Sequence, residues 1–455
     1  MMKNNQCCNV IKLVVNNNLC IGCGLCVSKC KNNSLIMSEN KYGFYEARQI
    51  KDCSCDGECL SVCPFNPYPN EKVKTENEIS EYFFDNQKKH HPKIGYYIST
   101  YAGYSHKHRK SSSSGGIATY VLEKLLDNKT INHVISVKAS QNGSTHYEYI
   151  ISSSKEELFK SAKTKYYPVT LSSVLKEINE LDGSIAIVGV ACFVKAIRLA
   201  QLNDPILKDK IKFIVGIICG GIKSSFFAEY LASKAGANPY EYKNPEFRIK
   251  DINSKASDYS FGCYDKKNNI NLIKMSAVGD MWGTGLFKSN ACDLCDDVTT
   301  ELADISVGDA WMKPFSDDGK GNNVIITRSE LANDIITYGI KNKELNITKL
   351  STDEFLKSQQ GSFTHRHNAL PFRIRRFKKL GILIPPKRIF NSRIDILERL
   401  IQRMRMKTRR KSLELWLKEK NHITFDKKMK LDLTILKILT KLNHLKRRLI
   451  IKMKG

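Results

Sequence analysis

Three features predict a chain of mixed α+β and α/β class in three parts. Two cysteine-rich runs fall within the first 70 residues, apolar strand-like segments alternate with helix-like ones over 94–360, and residues 361–455 are strongly basic with a helical pattern. The expected division is a cysteine module over 1–70, a linker over 71–93, an α/β body over 94–360 and a basic helical C-terminal extension over 361–455. At 455 residues the chain is long enough for two or three domains and a large core.

The cysteine module is the most specific part. The first run is Cys20-Ile-Gly-Cys23-Gly-Leu-Cys26-Val-Ser-Lys-Cys30, with the C-x2-C-x2-C-x3-C spacing of a bacterial ferredoxin-type 4Fe-4S loop. Three thiolates on one tight loop can grip three corners of a cubane, and Gly22 and Gly24 let the backbone turn around it. The second run, Cys53-Ser-Cys55-Asp56-Gly-Glu-Cys59-Leu-Ser-Val-Cys63-Pro64, ends regularly but begins irregularly. Counting back from Cys59 by three lands on Asp56, and by six on Cys53. Two readings stay open. Asp56 supplies an oxygen, a harder ligand whose corner would be labile and prone to a three-iron form, or Cys55 swings in instead. In two-cluster ferredoxins the fourth cysteine of each run serves the other cluster. Cys20, Cys23, Cys26 and Cys63 are therefore expected at one cluster, and Cys30, Cys53 and Cys59, with Asp56 or Cys55, at the other. A zinc site or scattered thiols is the plain alternative, which two interleaved runs at this spacing disfavour.

Fifteen cysteines in a long chain with metal spacing argue for reduced thiols and a cytoplasmic, low-oxygen setting rather than disulfides. There is no run of eighteen apolar residues to span a membrane, and the apolar stretch before Val15 is too short for a secretory signal. The charge is uneven. Residues 361–455 hold 28 Lys and Arg against 6 Asp and Glu, so +22 of the net +27 lies there and the first 360 residues carry +5.

In the body, strands are expected over 96–104, 133–139, 147–152, 184–189 and 212–218, with helices over 117–126, 155–161, 172–181, 190–200 and 225–235. The module contributes short strands and turns over 34–37 and 42–45, and the linker one short helix over 79–84. Repeated strand–turn–helix units predict a largely parallel sheet. Ligands bind such sheets at the carboxyl ends of strands, where Gly189–Cys192 and Cys219–Ser225 fall. Arg109 and the run Ser111-Ser112-Ser113-Ser114-Gly115-Gly116 precede a helix, where backbone N–H groups and hydroxyls can bind phosphate. A serine loop that merely caps the helix is the equal alternative. Cys292-Asp-Leu-Cys295 is half a metal site. Cys192 and Cys219, each at a strand end, would complete a third 4Fe-4S cluster. A structural zinc or buried small cysteines are the alternatives.

In the extension, Ile394, Leu397, Ile401 and Met404 form one helical stripe, and Ile435, Leu439, Leu442, Leu445 and Leu449 another, flanked by Lys and Arg. Such helices lie on anionic membranes, bind acidic partners, or bind nucleic acid without sequence specificity; sequence-specific nucleic-acid binding is not expected. The alternative is a hairpin packed on the body with a solvated basic face.

The ferredoxin runs, Arg109–Gly116, Lys165-Tyr166, Gly189–Cys192, Cys219-Gly220-Gly221, Cys292–Cys295 and Asp304–Trp311 occur in the order found in one family. Through them the chain resembles the family of coenzyme F420 hydrogenase/dehydrogenase beta subunits, which includes archaeal F420-reducing subunits and 7-hydroxymethyl chlorophyll a reductase. The resemblance covers residues 20 to 311. It implies an iron–sulfur flavoprotein with two clusters in the module, a flavin-binding α/β core and a third cluster on Cys192, Cys219, Cys292 and Cys295. It also implies FAD near Arg109, Ser112, Ser113, Ser114, Gly115, Gly116, Lys165 and Gly189. Electrons from a ferredoxin or redox partner subunit would pass through the clusters to FAD and on as hydride to a small organic acceptor, F420-like or a glycan-biosynthesis metabolite. No catalytic residue is singled out. The other readings are an electron-relay subunit without a substrate pocket and a membrane- or nucleic-acid-associated adaptor. Two positions depart from the family: Ala191 stands where Pro precedes the cysteine, and Asp56 breaks the second run.

Overall fold

The computed structural model describes residues 8–53, 57–84, 89–141, 143, 145–388 and 392–454. The module opens with a hairpin of β1 (Leu35–Glu39) and β2 (Tyr45–Gln49), and a second hairpin, β3 (Lys89–His91) and β4 (Gly95–Tyr97), leads into the body. The body's first strands are β5 (Ser99–Ser105), β6 (His133–Ala139), β7 (Tyr147–Ser152), β8 (Ile185–Val190) and β9 (Ile211–Ile217). An antiparallel trio follows, β10 (Lys243–Ile249), β11 (Ser260–Tyr264) and β12 (Ile270–Lys274), and then β13 (Ile305–Asp309), β14 (Asn323–Thr327) and β15 (Leu345–Leu350). The longer helices are α1 (Ile117–Asp127), α2 (Ala191–Asn203), α3 (Ser225–Lys234), α4 (Glu330–Lys341), α5 (Leu370–Lys379), α6 (Ile396–Glu419) and α7 (His422–Lys454).

The main sheet runs β15-β5-β14-β13-β9-β8-β6-β7. Its centre is parallel, β6 with β8, β8 with β9 and β9 with β13. Its flanks are antiparallel, β14, β5 and β15 on one side and β7 on the other. The sheet is thus mixed, not largely parallel as the strand–turn–helix units predict. The loop 140–146 between β6 and β7 is too short for a crossover, so β7 must return antiparallel. The strands that reverse the other flank lie beyond the last clear strand–helix unit.

Side chains alternate across the central strands. Ile185 and Ile187 of β8 and Ile214 of β9 join one core; Ala186, Phe213 and Val215 join the opposite one. Helices α1 and α4 cover the second face. The first face carries α2, and the cysteine module packs over α2 through Leu19, Leu25, Val27 and Leu35. Sandwiched between sheet and module, α2 is buried along almost its whole length, Lys195 and Arg198 included. Within the expected linker, the helix Glu76–Phe84 also lies against the body. Ile79 and Phe84 are buried, and Glu76 pairs with Lys195 at 3.1 Å.

The extension docks as a hairpin of α6 and α7 against α3. Trp416 is fully buried and donates from Nε1 to Glu229 at 2.7 Å, with Tyr230, Phe287 and Phe425 around its ring. Ile394 and Ile401 of the first expected stripe are buried. The second stripe faces the other way from what a packed helix would give. Ile435, Leu442, Leu445 and Leu449 are exposed, and Phe425, Met429 and Leu436 carry the buried face. No helix among the described residues is long and apolar enough to cross a membrane.

Candidate redox site

The two cysteine runs share a turn among their described residues. Each reaches a left-handed glycine, Gly24 at φ 84° and Gly57 at φ 87°, followed by a one-turn helix, Leu25–Ser28 and Glu58–Ser61. Gly24 is also required by packing, since a Cβ there would stand 2.3 Å from Thr170 Oγ1 and 2.7 Å from Ser172 N. Leu171 N donates to Cys23 O at 2.9 Å, so the first loop is fastened to the body at this turn.

Three groups of cysteines result. Cys20, Cys23, Cys26 and Cys63 wall one small cavity, closed by apolar residues such as Val14 and Met37. Burial pushes all four thiols up, Cys23 to about 12 and Cys26 and Cys63 well up, and neighbouring cysteines add to the rise of these three. Four thiols so close and so dry cannot ionise together without a cationic centre to receive them. This is the grouping expected for the first cluster. Among the described residues no three His, Cys, Asp or Glu side chains converge on a point that would hold a single ion. A cubane takes one thiolate at each of four separated irons.

The second group gathers Cys30, Cys53 and Cys59, three of the residues expected at the second cluster, and adds Cys8. Ser34 N donates to Cys30 Sγ at 3.2 Å. Cys8 is hydrogen-bonded to Cys53 and raised, after burial, by Cys53, Cys59 and Cys30. The alternative ligands Asp56 and Cys55 lie outside the described residues.

The third group is at the carboxyl edge of the sheet. β8 and β9 end in register, Val190 opposite Ile217, so the chain leaves both strands side by side and presents Cys192 and Cys219. The segment after Cys219 then pairs with residues 287–289, through Ser224 N to Phe287 O and Ser289 N to Ile222 O, both 2.9 Å. That pairing carries in the turn Ala291–Leu294 with Cys292 and Cys295. Cys192 is raised well up by burial and then by Cys292, Cys219 and Cys295. Gly221 N donates to Cys219 Sγ at 3.3 Å and Ile222 N to Cys292 Sγ at 3.2 Å, bonds that favour thiolate sulfur. The groups also neighbour one another in space, since Cys23, Cys26 and Cys59 share one buried core with Cys63 and Cys192 packed against it.

The third group sits in a buried ionic frame that the sequence did not announce. Arg366 donates to Asp297 O at 2.6 Å and to Cys219 O, and its cation is favoured by Cys295, Cys219 and Cys292. Asp293 is bound by Lys288 at 2.7 Å and Arg409 at 3.0 Å, Asp296 by Lys387 at 3.2 Å and Glu301 by Arg388 at 2.5 Å. Most of these cations come from the basic extension. The available signal was the acidic stretch 293–301, whose burial beside the cysteines demands cationic partners.

The serine loop follows the carboxyl end of β5, which runs parallel to β13, β9 and β8, so it lies at the same edge of the sheet as the third group. Arg109 stacks on Tyr104 at 3.7 Å and donates to Gly321 O at 2.9 Å and to Asp318. Lys250 donates to Ser114 O at 2.7 Å, and Ser113 Oγ accepts from Thr164 N at 2.8 Å, drawing in Lys165. Burial brings Lys165 down to about 7 and Lys250 to about 8, the latter helped by Arg109. Gly116, at φ 82°, starts α1; a Cβ there would meet His108 C at 2.6 Å, and one on Gly115 would meet Gly103 O at 2.5 Å. Ser112 Oγ is buried and without a hydrogen-bond partner among the described residues. Cations, hydroxyls and a helix N-terminus with an orphaned buried Oγ fit an anionic phosphate group. Gly189 is placed apart from this loop in the chain, at the end of β8 three residues before Cys192. An aromatic wall of Tyr166, Phe227, Phe247 and Trp282 continues from Lys165, with Lys223 over the Trp282 ring at 4.6 Å.

A 4Fe-4S binding domain matches residues 13–36, and with the mixed α/β body this makes the chain an iron–sulfur protein. Models of the N-terminal and C-terminal regions of the coenzyme F420 hydrogenase/dehydrogenase beta subunit match residues 100–176 and 182–353, and the chain belongs to that family. It is 24% identical over 323 residues to an F(420)H(2) dehydrogenase subunit of Methanosarcina mazei, covering 66% of this chain and 80% of that one. It is 25% identical over 245 residues to the coenzyme F420 hydrogenase subunit beta of Methanosarcina barkeri, covering 51% and 79%. A coenzyme F420-dependent sulfite reductase of Methanocaldococcus jannaschii is 24% identical over 65% of this chain and 43% of its own length. Among solved structures, a chain of the F420-reducing nickel–iron hydrogenase complex from Methanosarcina barkeri superposes with a TM-score of 0.49 at 19% identity, over 66% of this chain and 98% of that one.

Proposed function

We propose that the chain is an iron–sulfur flavoprotein that takes electrons from a ferredoxin or redox partner subunit and delivers them, through three clusters and FAD, to a small organic acceptor. The observation that carries this is the succession of cysteine groups from the module to the carboxyl edge of the sheet. Cys8, Cys30, Cys53 and Cys59 share one buried core with Cys23 and Cys26, and Cys63 and Cys192 pack against that core, Cys192 leading to Cys219, Cys292 and Cys295. FAD, when bound, supplies the exchange between single electrons and hydride. The residues fitted to its phosphates are Arg109, Ser112, Ser113, Ser114, Gly115, Gly116 and Lys165, with Lys250 beside them. Lys165 and Lys250 would hold positive charge there against a diphosphate, and the aromatic wall beyond Lys165 would keep water from a bound planar ring. Gly189 takes the strand-end position next to the third cluster. The names of the relatives support an F420-type deazaflavin as the acceptor.

The exposed stripe of α7 supports peripheral contact with an anionic membrane. Leu431, Ile435, Ile438, Leu442, Leu445 and Leu449 are exposed at helical spacing in a helix rich in Lys and Arg.

Anaerobic purification with quantification of iron, sulfide and released flavin tests the reading. About twelve irons, at four per cluster, with one FAD per chain is the expected result. Absence of flavin after incubation with FAD would sink the enzyme reading, and about eight irons would remove the third cluster.

A further inference from the structure

The second cysteine run has a gap when the two runs are aligned on the left-handed glycine and one-turn helix that both contain. Cys26 therefore corresponds to Cys59, Cys30 to Cys63 and Cys20 to Cys53. Cys23, directly before Gly24, corresponds to Asp56, directly before Gly57. The second group has a carboxylate residue where the first has a thiolate, so its own two runs supply it with three cysteines at matching positions.

A fourth thiol arrives from outside both runs. Cys8 is 1% exposed. Its backbone is held at both ends, with N donating to Gln49 Oε1 at 2.9 Å and O accepting from Ile11 N at 2.9 Å and Lys12 N at 3.1 Å. The turn that follows, Ile11–Val15, is locked by Val10, Val14 and Leu19, all buried in the module core. The Cys8 side chain lies in the same buried core as Cys30, Cys53 and Cys59, near enough for all three to act on its thiol, Cys53 most strongly.

We propose that Cys8 is the fourth protein ligand of the cluster held by Cys30, Cys53 and Cys59, in the place that the spacing of the second run leaves to Asp56 or Cys55. This rests on the iron–sulfur reading of the module. The chemistry favours it, because thiolate is the softer ligand and matches iron in a cluster better than a carboxylate does. The Cys8 thiol gives up its proton to solvent on binding iron, as any cysteine ligand must. A cluster with four thiolates has no labile oxygen corner and is not set up to lose one iron.

The test uses the full chain, purified anaerobically in a Cys7→Ala background so that the adjacent thiol cannot substitute. Cys8→Ser, Cys55→Ala, Asp56→Ala and Cys59→Ala are compared by iron and sulfide content and by EPR of the oxidised protein. Cys8→Ser is expected to lose between about one and four of about twelve irons, or to show a three-iron signal. Cys55→Ala and Asp56→Ala are expected to keep full iron and show no such signal. The signals of the other clusters report that each variant is folded. Full iron in Cys8→Ser, or loss of iron in Asp56→Ala or Cys55→Ala, overturns the proposal. If Cys59→Ala also loses nothing, there is no second cluster and the underlying reading fails instead. Mössbauer spectra of the unsubstituted protein need no variant. Irons all in sulfur coordination are expected, and a distinct oxygen-ligated iron overturns the assignment.

Discussion

Lys165 shows how one buried side chain can report on the proposed phosphate site. Its Nζ donates to the carbonyls of Ser161 and Ala162, and burial, helped by Lys163, holds its pKa at about 7. In the unfolded chain the value is about 10.4. Between these values the unfolded chain binds more protons than the folded one, so this residue makes stability rise with pH from about 7 to about 10. A bound diphosphate does the reverse to the group, because it favours the ammonium. Above pH 7 ligand binding must then take up a proton, and affinity falls as pH rises. FAD or ADP is expected to bind roughly tenfold more weakly at pH 8.5 than at 6.5, about one pKa unit's worth. Lys165→Met should bind more weakly at pH 6.5 and lose most of that slope, as isothermal titration at several pH values can read. A flat profile in the parent protein with undiminished binding in the variant would remove Lys165 from the site. At this scale the sequence was informative where spacing encodes chemistry, as in Cys20, Cys23, Cys26 and Cys63. It was silent on Cys8 and Arg366, which reach the second and third cysteine groups through tertiary packing from positions with no motif.

Among elements, helix positions were legible because apolar periodicity and start signals agreed. The helix expected over 117–126 is α1 at Ile117–Asp127, begun by Gly116, and that over 190–200 is α2 at Ala191–Asn203. What periodicity could not give was which face of α7 packs. Its buried face is partly polar. Asp432 takes Lys407 and Lys411, each at 2.7 Å, and Asn443 donates to Glu398 at 2.7 Å. A pattern search picks the more apolar stripe as the core, and here that stripe is outside, with Leu445 54% exposed. A face of this kind, flanked by Lys437, Lys441, Lys446 and Arg447, suits the boundary of an anionic bilayer, where apolar area and charge act together. The protein is expected to sediment with phosphatidylcholine vesicles containing phosphatidylserine and much less with phosphatidylcholine alone. Leu442→Asp with Leu445→Asp should reduce that binding several-fold without changing iron content, since both side chains are on the exposed face of α7. Failure of the parent protein to sediment with anionic vesicles would end the membrane reading.

At the scale of the molecule, the charge asymmetry of the sequence has a structural meaning that composition concealed. A basic C-terminal region invites separation from the body near residue 360. Yet its first part supplies the cations of the frame around the third cysteine group. Arg373 Nε donates to Asp293 O at 2.7 Å and Nη1 to Gln402 at 2.8 Å, so α5 ties that loop to α6. Asp293, Asp296 and Glu301 are each at most 3% exposed, and their partners Arg409, Lys387 and Arg388 all follow residue 361. Lys288 would remain for Asp293, but Asp296 and Glu301 would lose these pairs. Removing one partner of a buried ion pair costs about 3–5 kcal/mol, against a total stability of about 5–15 kcal/mol for a domain. A chain ending at residue 364 is therefore expected to lose the irons of the third group and to be insoluble or molten by circular dichroism. A chain ending at residue 430 keeps every one of these pairs, together with Trp416 and Phe425 in their aromatic cluster. It should retain about twelve irons by the count of four per cluster and a cooperative melt. If the shorter chain folds with full iron, the basic extension is an appendage after all, and the ionic frame does not hold the third cluster's loop.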